Sequence, residues 1–161
     1  MKWLNEFIDQ SFDGNLKTSQ YPREFGPYKM KVSFGQGMPA RVPWISFFAS
    51  GMSTSNGYYP VYLHYKDQSK LILAFGISET NQYEKSWTEE VIGNSPKIKD
   101  SVENPPRYGE SWVFKSYDVI QTNMFLDADP FKLLIRSSTY RFWIPTMCLF
   151  CQVWMCLRNG F

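Results

Sequence analysis

From Tyr28 the hydrophobic period becomes two. Lys29-Met30-Lys31-Val32-Ser33-Phe34 alternates polar and apolar side chains. Successive residues of a strand point to opposite faces, so this alternation predicts a strand with one wet face and one buried face. Three further runs follow, each set off by turn-forming residues. Gly35-Gln36-Gly37-Met38-Pro39 leads to Val42–Phe48, with Pro43 near the start of the strand, where proline is tolerated. A polar loop to Gly57 leads to Tyr58–Lys66, and Asp67-Gln68-Ser69 leads to Lys70–Ile77. The last of these contains Leu71-Ile72-Leu73-Ala74-Phe75, an unbroken apolar run that predicts burial on both faces.

The flanks read differently. Trp3, Leu4, Phe7, Ile8 and Phe12 recur at helical spacing and predict an amphipathic helix over 3–12, stopped by Asp13-Gly14-Asn15. Residues 14–27 read as loop. Residues 78–111 are polar and acidic, with a short helix expected near 96–102 and a rigid loop at Asn104-Pro105-Pro106-Arg107-Tyr108-Gly109. Trp112–Tyr117 reads as a further strand, and Asp129-Pro130 as the start of a helix. Strands grouped first, with helices at the ends, predict an α+β domain: a central, mainly antiparallel sheet with flanking helices. One such domain fits residues 1–137.

Residues 138–161 form an atypical apolar tail. Phe142–Leu157 carries no charge, but a membrane-spanning helix wants about 20 residues, and this run contains Pro145 and Gln152. A buried terminal segment is the expectation. Crowded Trp, Met and Cys also fit an out-of-frame extension. All three cysteines, Cys148, Cys151 and Cys156, lie here, so they are no disulfide framework. The opening residues show no signal peptide, and a cytoplasmic, non-membrane protein is expected.

Enzyme signatures are missing. The chain has no Gly-x-x-x-x-Gly-Lys-Ser/Thr phosphate loop, and its single histidine excludes any two-histidine metal site. Cys148 and Cys151 have Cys-x-x-Cys spacing without a second pair. His64, mid-strand between Leu63 and Tyr65, reads as structural. The expectation is a protein that is not an enzyme, with no cofactor and no metal.

A net charge of +2 conceals an uneven distribution. Residues 14–66 hold six bases against Glu24 alone, a balance of +5; residues 79–110 hold seven acids against four bases, a balance of −3. The basic half is interleaved with Tyr21, Tyr28, Trp44, Tyr58, Tyr59, Tyr62 and Tyr65. Cations beside stacking rings suit nucleic acid. A sheet with an aromatic core and ordinary surface lysines accounts for the same residues.

The order of the segments adds to this. Val32-Ser33-Phe34-Gly35-Gln36-Gly37, Val42-Pro43-Trp44-Ile45-Ser46-Phe47, Ser55-Asn56-Gly57-Tyr58-Tyr59-Pro60-Val61-Tyr62-Leu63-His64-Tyr65-Lys66-Asp67 and Leu71-Ile72-Leu73-Ala74-Phe75-Gly76-Ile77-Ser78-Glu79-Thr80 occur in sequence, followed by Arg107-Tyr108-Gly109-Glu110-Ser111. Together they resemble the N-terminal DNA-binding domain of McrB-type 5-methylcytosine-specific restriction enzymes, over about Trp3 to Tyr117. The resemblance implies double-stranded DNA with 5-methyl- or 5-hydroxymethylcytosine as partner, the base being flipped into a pocket made here by Trp44, Tyr59, Leu63 and Tyr108. Tyr59 and Leu63 are four apart on one strand and so share a face. Hairpin pairing can bring Trp44 alongside, and only the resemblance places Tyr108.

Between Gly35 and Gly37, the position that fills the vacated gap is Gln36, where the best-known member of the family has tyrosine. Lys29, Lys31, Arg41 and Lys66 are the expected DNA-backbone contacts. The resemblance also implies an AAA+ GTPase and a nuclease subunit as partners in an intact system. Two other readings remain: a reader of an unmodified DNA sequence on the same fold, and a protein-interaction module or non-functional remnant.

Overall fold

A computed structural model describes residues 2–81 and 86–119. Helix α1 (Lys2–Asp13) is followed by strands β1 (Glu24–Phe25), β2 (Tyr28–Gln36), β3 (Met38–Phe48), β4 (Tyr58–Tyr65) and β5 (Lys70–Ile77). Two four-residue helices, α2 (Glu89–Ile92) and α3 (Ile98–Ser101), precede β6 (Trp112–Asp118). The six strands form one sheet in the order of the chain, β1-β2-β3-β4-β5-β6, every neighbouring pair antiparallel.

The expected α+β class is corrected by this architecture. The fold is largely β, and among the described residues only α1 exceeds one turn. The stretch near 96–102 makes helix over four residues, and Asn104-Pro105-Pro106 lies just beyond it. A residue before proline is steered away from helical backbone, which keeps this region in loop form. Grouping of strands before helices had suggested helical cover for the sheet. One face is instead roofed by Ile98 of the one-turn α3 and by Val102 just after it. The expected helix at Asp129-Pro130 and the apolar tail with its three cysteines lie outside the described residues.

Alternation along the strands gives the sheet two different faces. On one face α1 lays down Leu4, Phe7 and Ile8, all buried. Phe7 packs 5.3 Å from Phe34, and Trp3 packs 6.1 Å from Phe47 (ring centroids). The loop after α1 has almost no regular structure, yet Gln10 fixes it. Its side-chain amide donates to the carbonyls of Asn15 and Lys17, and its carbonyl accepts the Tyr21 hydroxyl at 2.8 Å. Burial and neighbouring carboxylates push the Tyr21 phenol up to about 12, so it remains a donor.

The opposite face holds Val42, Phe48, Tyr59, Val61, Leu63, Tyr65, Ile72, Ala74 and Val113, roofed by Ile98 and Val102 of the long β5–β6 connection. Strand β5 is buried on both faces from Leu71 to Phe75, as its unbroken apolar run implied.

His64 belongs to the α1 face and is completely buried. The Ser11 hydroxyl donates to the Ile8 carbonyl at 2.6 Å, so its oxygen accepts from His64 Nδ1. Nε2 then carries the lone pair, and among the described residues it has no hydrogen-bond partner. Burial, with a smaller contribution from Lys66, lowers the imidazole to about 4. The histidine is a neutral core residue, which agrees with its structural reading from sequence.

Candidate functional site

Trp44, Tyr59, Leu63 and Tyr108 meet in one cluster on the loop-covered face. Register explains the first three. Trp44 on β3 stands directly opposite Leu63 on β4, and Tyr59 lies two pleats along β4 on the same side. Leu63 is fully buried and Tyr59 is 6% exposed, whereas Trp44 and Tyr108 are half-buried. The pair on β4 is thus a floor, and the other two are a rim.

Tyr108 reaches the rim because its loop is stapled from several sides. Ile98 N–H donates to the Ser111 carbonyl (2.9 Å), Lys99 N–H to that of Gly109 (3.1 Å) and Val113 N–H to that of Pro96 (2.8 Å). The Tyr65 hydroxyl donates to the Arg107 carbonyl at 2.9 Å. Tyr108 itself has φ of +66°, a left-handed conformation uncommon outside glycine. The Glu79 carboxylate holds it there: one oxygen accepts the Tyr108 N–H at 2.5 Å, and the other accepts two Arg107 guanidinium N–H groups at 3.3 Å. Arg107 in turn lies 5.0 Å from the Tyr108 ring centroid.

The phenols of the site stay protonated. Burial raises Tyr59 well above the ordinary phenol range, assisted by Tyr108 and Glu79. Burial also raises Tyr108, against the pull of Arg107 and of a hydrogen bond with Trp44. Each is a neutral ring with an O–H donor. That of Tyr59 is given to the Thr54 carbonyl at 3.1 Å.

Of the expected backbone contacts, Lys29 and Lys31 stand exposed on β2, opposite Phe48 and Ser46. Lys31 Nζ lies 6.0 Å from the Trp44 ring centroid. A groove of about 410 Å³ opens here, lined by Arg23, Lys29, Lys31, Phe48, Met52 and Thr54 among others. Arg41 and Lys66 border a second groove of about 210 Å³ with Tyr65 and Asp67. Arg41 is paired there with Asp67 at 3.1 Å, both side chains largely in solvent. The four cations therefore fall into two pairs rather than one patch.

Gln36 is exposed at the tip of the β2–β3 hairpin, and the register pairs it with Met38 across Gly37. Gly35 has φ of +123°, and a Cβ there would meet the Met38 carbonyl oxygen at 2.0 Å. Glycine is required for this turn.

Sequence reading missed Glu79, Arg107, Phe48 and Met52 as parts of the site's surroundings. Phe48 was within reach, since it is four residues from Trp44 on one strand. Nothing in the spacing ties Glu79 to residues 107 and 108.

Taken together, these elements make a β-meander binding domain: an aromatic floor on adjacent strands, a rim carried by a stapled loop, and cations at the edges. Comparison with known proteins agrees. The family described as MrcB-like, N-terminal domain matches residues 4–123, and the chain belongs to that family. It is also 36% identical over 126 residues to the Type IV methyl-directed restriction enzyme EcoKMcrB subunit of Escherichia coli (strain K12). The alignment covers 74% of this chain and 27% of the relative. What matches is an N-terminal domain. No helix among the described residues is long and apolar enough to cross a membrane.

Proposed function

We infer that this domain binds double-stranded DNA and takes a modified cytosine, 5-methyl or 5-hydroxymethyl, out of the helix into the space bounded by Trp44, Tyr59, Leu63 and Tyr108. The observation that carries this is the convergence of those four side chains from β3, β4 and a loop more than 40 residues further on. The similarity to a methyl-directed restriction subunit supports it.

The energetics are of the right order. Extruding a base costs a few kcal/mol. Stacking on aromatic rings returns about 1–3 kcal/mol per contact, and the half-buried Trp44 and Tyr108 offer two such surfaces. Tyr59 and Leu63, already buried, supply an apolar seat for the ring edge. Burying one methyl adds about 0.8 kcal/mol, a preference of roughly fourfold over plain cytosine. Lys29, Lys31, Arg41 and Lys66 add the sequence-independent attraction to phosphates, which weakens with salt.

The domain extends over residues 1–137, of which the family match takes 4–123. It is the target-recognition part of a modification-dependent restriction system in the cytoplasm, working with an AAA+ GTPase and a nuclease on other polypeptide segments.

A titration of three duplexes differing only at one cytosine (plain, 5-methyl, 5-hydroxymethyl) tests the reading, with Tyr108→Ala alongside. Tighter binding of a modified duplex, lost in the variant, is the expected result. Equal affinity for all three would favour a reader of unmodified sequence. Binding of none would remove the DNA reading.

A further inference from the structure

Midway between the large side chains of the site stands a small polar one. Ser46 lies between Trp44 and Phe48 on β3, and the pleat turns all three to the face roofed by Ile98 and Val102. It pairs across the sheet with Val61, which lies between Tyr59 and Leu63 on β4. Trp44 stands opposite Leu63, and the Phe48 ring lies 4.7 Å from that of Tyr59 (centroids). Ser46 and Val61 are therefore short side chains at the centre of a rectangle whose four corners are long. Trp44, Met52 and Tyr108, each half-buried, pack against the same cluster. Ser46 is 1% exposed, so a ligand group meets it only after entering between the side chains around it.

Buried polar side chains are nearly always hydrogen-bonded. Gln10, Ser11, His64 and Ser111, the other buried polar residues among those described, each make at least one such bond. The Ser46 hydroxyl makes no side-chain hydrogen bond among the described residues. Packing asks only for a short side chain here, and alanine would serve without a polar group to bury. A serine hydroxyl has one O–H to donate and two lone pairs. A ligand that offers both an acceptor and a donor accounts for it.

A cytosine turned out of a helix enters a pocket with its sugar, on N1, left outside. The ring atom opposite N1 is C4, which carries the amino group, and C5 beside it carries the modification. These two groups lead into the site. The amino group only donates, so alone it leaves the serine proton without an acceptor, and a 5-methyl group offers nothing. The oxygen of a 5-hydroxymethyl group accepts that proton. We propose that Ser46 is a specificity-determining residue that selects 5-hydroxymethylcytosine over 5-methylcytosine, its hydroxyl donating to the hydroxymethyl oxygen and accepting from the neighbouring amino group. The inference rests on the base-extrusion reading above and narrows its ligand.

The test uses the full chain and four duplexes differing at one base: cytosine, 5-methyl-, 5-hydroxymethyl- and 5-ethylcytosine. Ethyl matches hydroxymethyl in size but has no hydroxyl. The wild type should bind the hydroxymethyl duplex about fivefold tighter than the ethyl and methyl duplexes, the worth of one net hydrogen bond. Ser46→Ala should lose that preference through about fivefold weaker binding of the hydroxymethyl duplex, and should hold the methyl and ethyl duplexes within about twofold of the wild type. Comparing hydroxymethyl with ethyl on the wild type needs no variant, so it decides the matter even if Ser46→Ala folds poorly.

Equal binding of the hydroxymethyl and ethyl duplexes by the wild type, or an equal loss on all four duplexes in Ser46→Ala, would overturn the role of Ser46. A preference for modified over plain cytosine would leave the extrusion reading standing in either case. If the wild type binds all four duplexes alike, the extrusion reading fails and the role of Ser46 with it.

Discussion

Replacing His64 with phenylalanine should make the domain resistant to mild acid. The imidazole is enclosed by Phe7 (6.4 Å) and Phe12 (5.0 Å), hydrogen-bonds Ser11 alone among the described residues, and is lowered from 6.5 to about 4 by burial. Between those two values the unfolded chain binds a proton that the native state refuses. Stability therefore falls as pH drops through 6.5, and stops falling below about 4. Each pH unit inside this window is worth about 1.4 kcal/mol, so moving from pH 6.5 to 5 costs the wild type about 2 kcal/mol from this group alone. His64→Phe abolishes that dependence. At neutral pH the variant loses one hydrogen bond of about 1 kcal/mol but also removes the buried Nε2 that has no partner among the described residues, so the net change should stay within about 1 kcal/mol. Urea unfolding at several pH values between 7.5 and 4.5 measures both proteins. The gap between their stabilities should close or reverse by about 2 kcal/mol as pH falls to 5. Parallel curves would show that the imidazole accepts a proton within the fold, and the buried-neutral assignment would be wrong.

Other outcomes follow from the site. Tyr108→Ala should weaken binding to a modified duplex by roughly 5- to 150-fold, one stacking contact's worth, with a smaller effect on binding to unmodified DNA; fluorescence anisotropy reads both. Lys29→Ala and Lys31→Ala should each reduce the slope of log affinity against log salt by about 1, whereas Arg41→Ala should change it less because Asp67 already neutralises that guanidinium. Glu79→Gln keeps an acceptor for the Tyr108 N–H but loses the ion pair with Arg107. It should loosen the rim, seen as faster hydrogen exchange at 107–109, without a measurable shift in melting temperature. Gly35→Ala should destabilise the domain by about 1–3 kcal/mol because its side chain has no room at that φ.

The sheet was legible because its strands obey simple patterns. Lys70–Ile77 is found with the bounds that its turn residues and apolar run indicate, and α1 extends one residue beyond the expected 3–12 at each end. Trp44, Tyr59 and Leu63 could be placed together because pleat and hairpin register are local. Residues 78–111 were harder. Their structure depends on stapling by distant groups, such as Glu79 to Tyr108 and Gln68 to Glu103, which no periodicity announces. The helix expected near 96–102 forms, but over four residues only, and backbone hydrogen bonds to 109–113 tie it to the loop beside it, so it adds little helical cover to the sheet.

A sheet whose spatial order repeats its order in the chain has a kinetic corollary. Pairs β2–β3, β3–β4 and β4–β5 each close a short loop, so they can zip in succession at small entropic cost. Only β6 must wait for residues 78–111 to be gathered. The floor at Tyr59 and Leu63 is then assembled before Tyr108 arrives, and the rim is the last part to be built. Pulse-labelled hydrogen exchange during refolding would find the amides of Leu63 and Ile72 protected while that of Val113 is still open. The opening of a binding site and the final step of folding would thus be motions of the same segment.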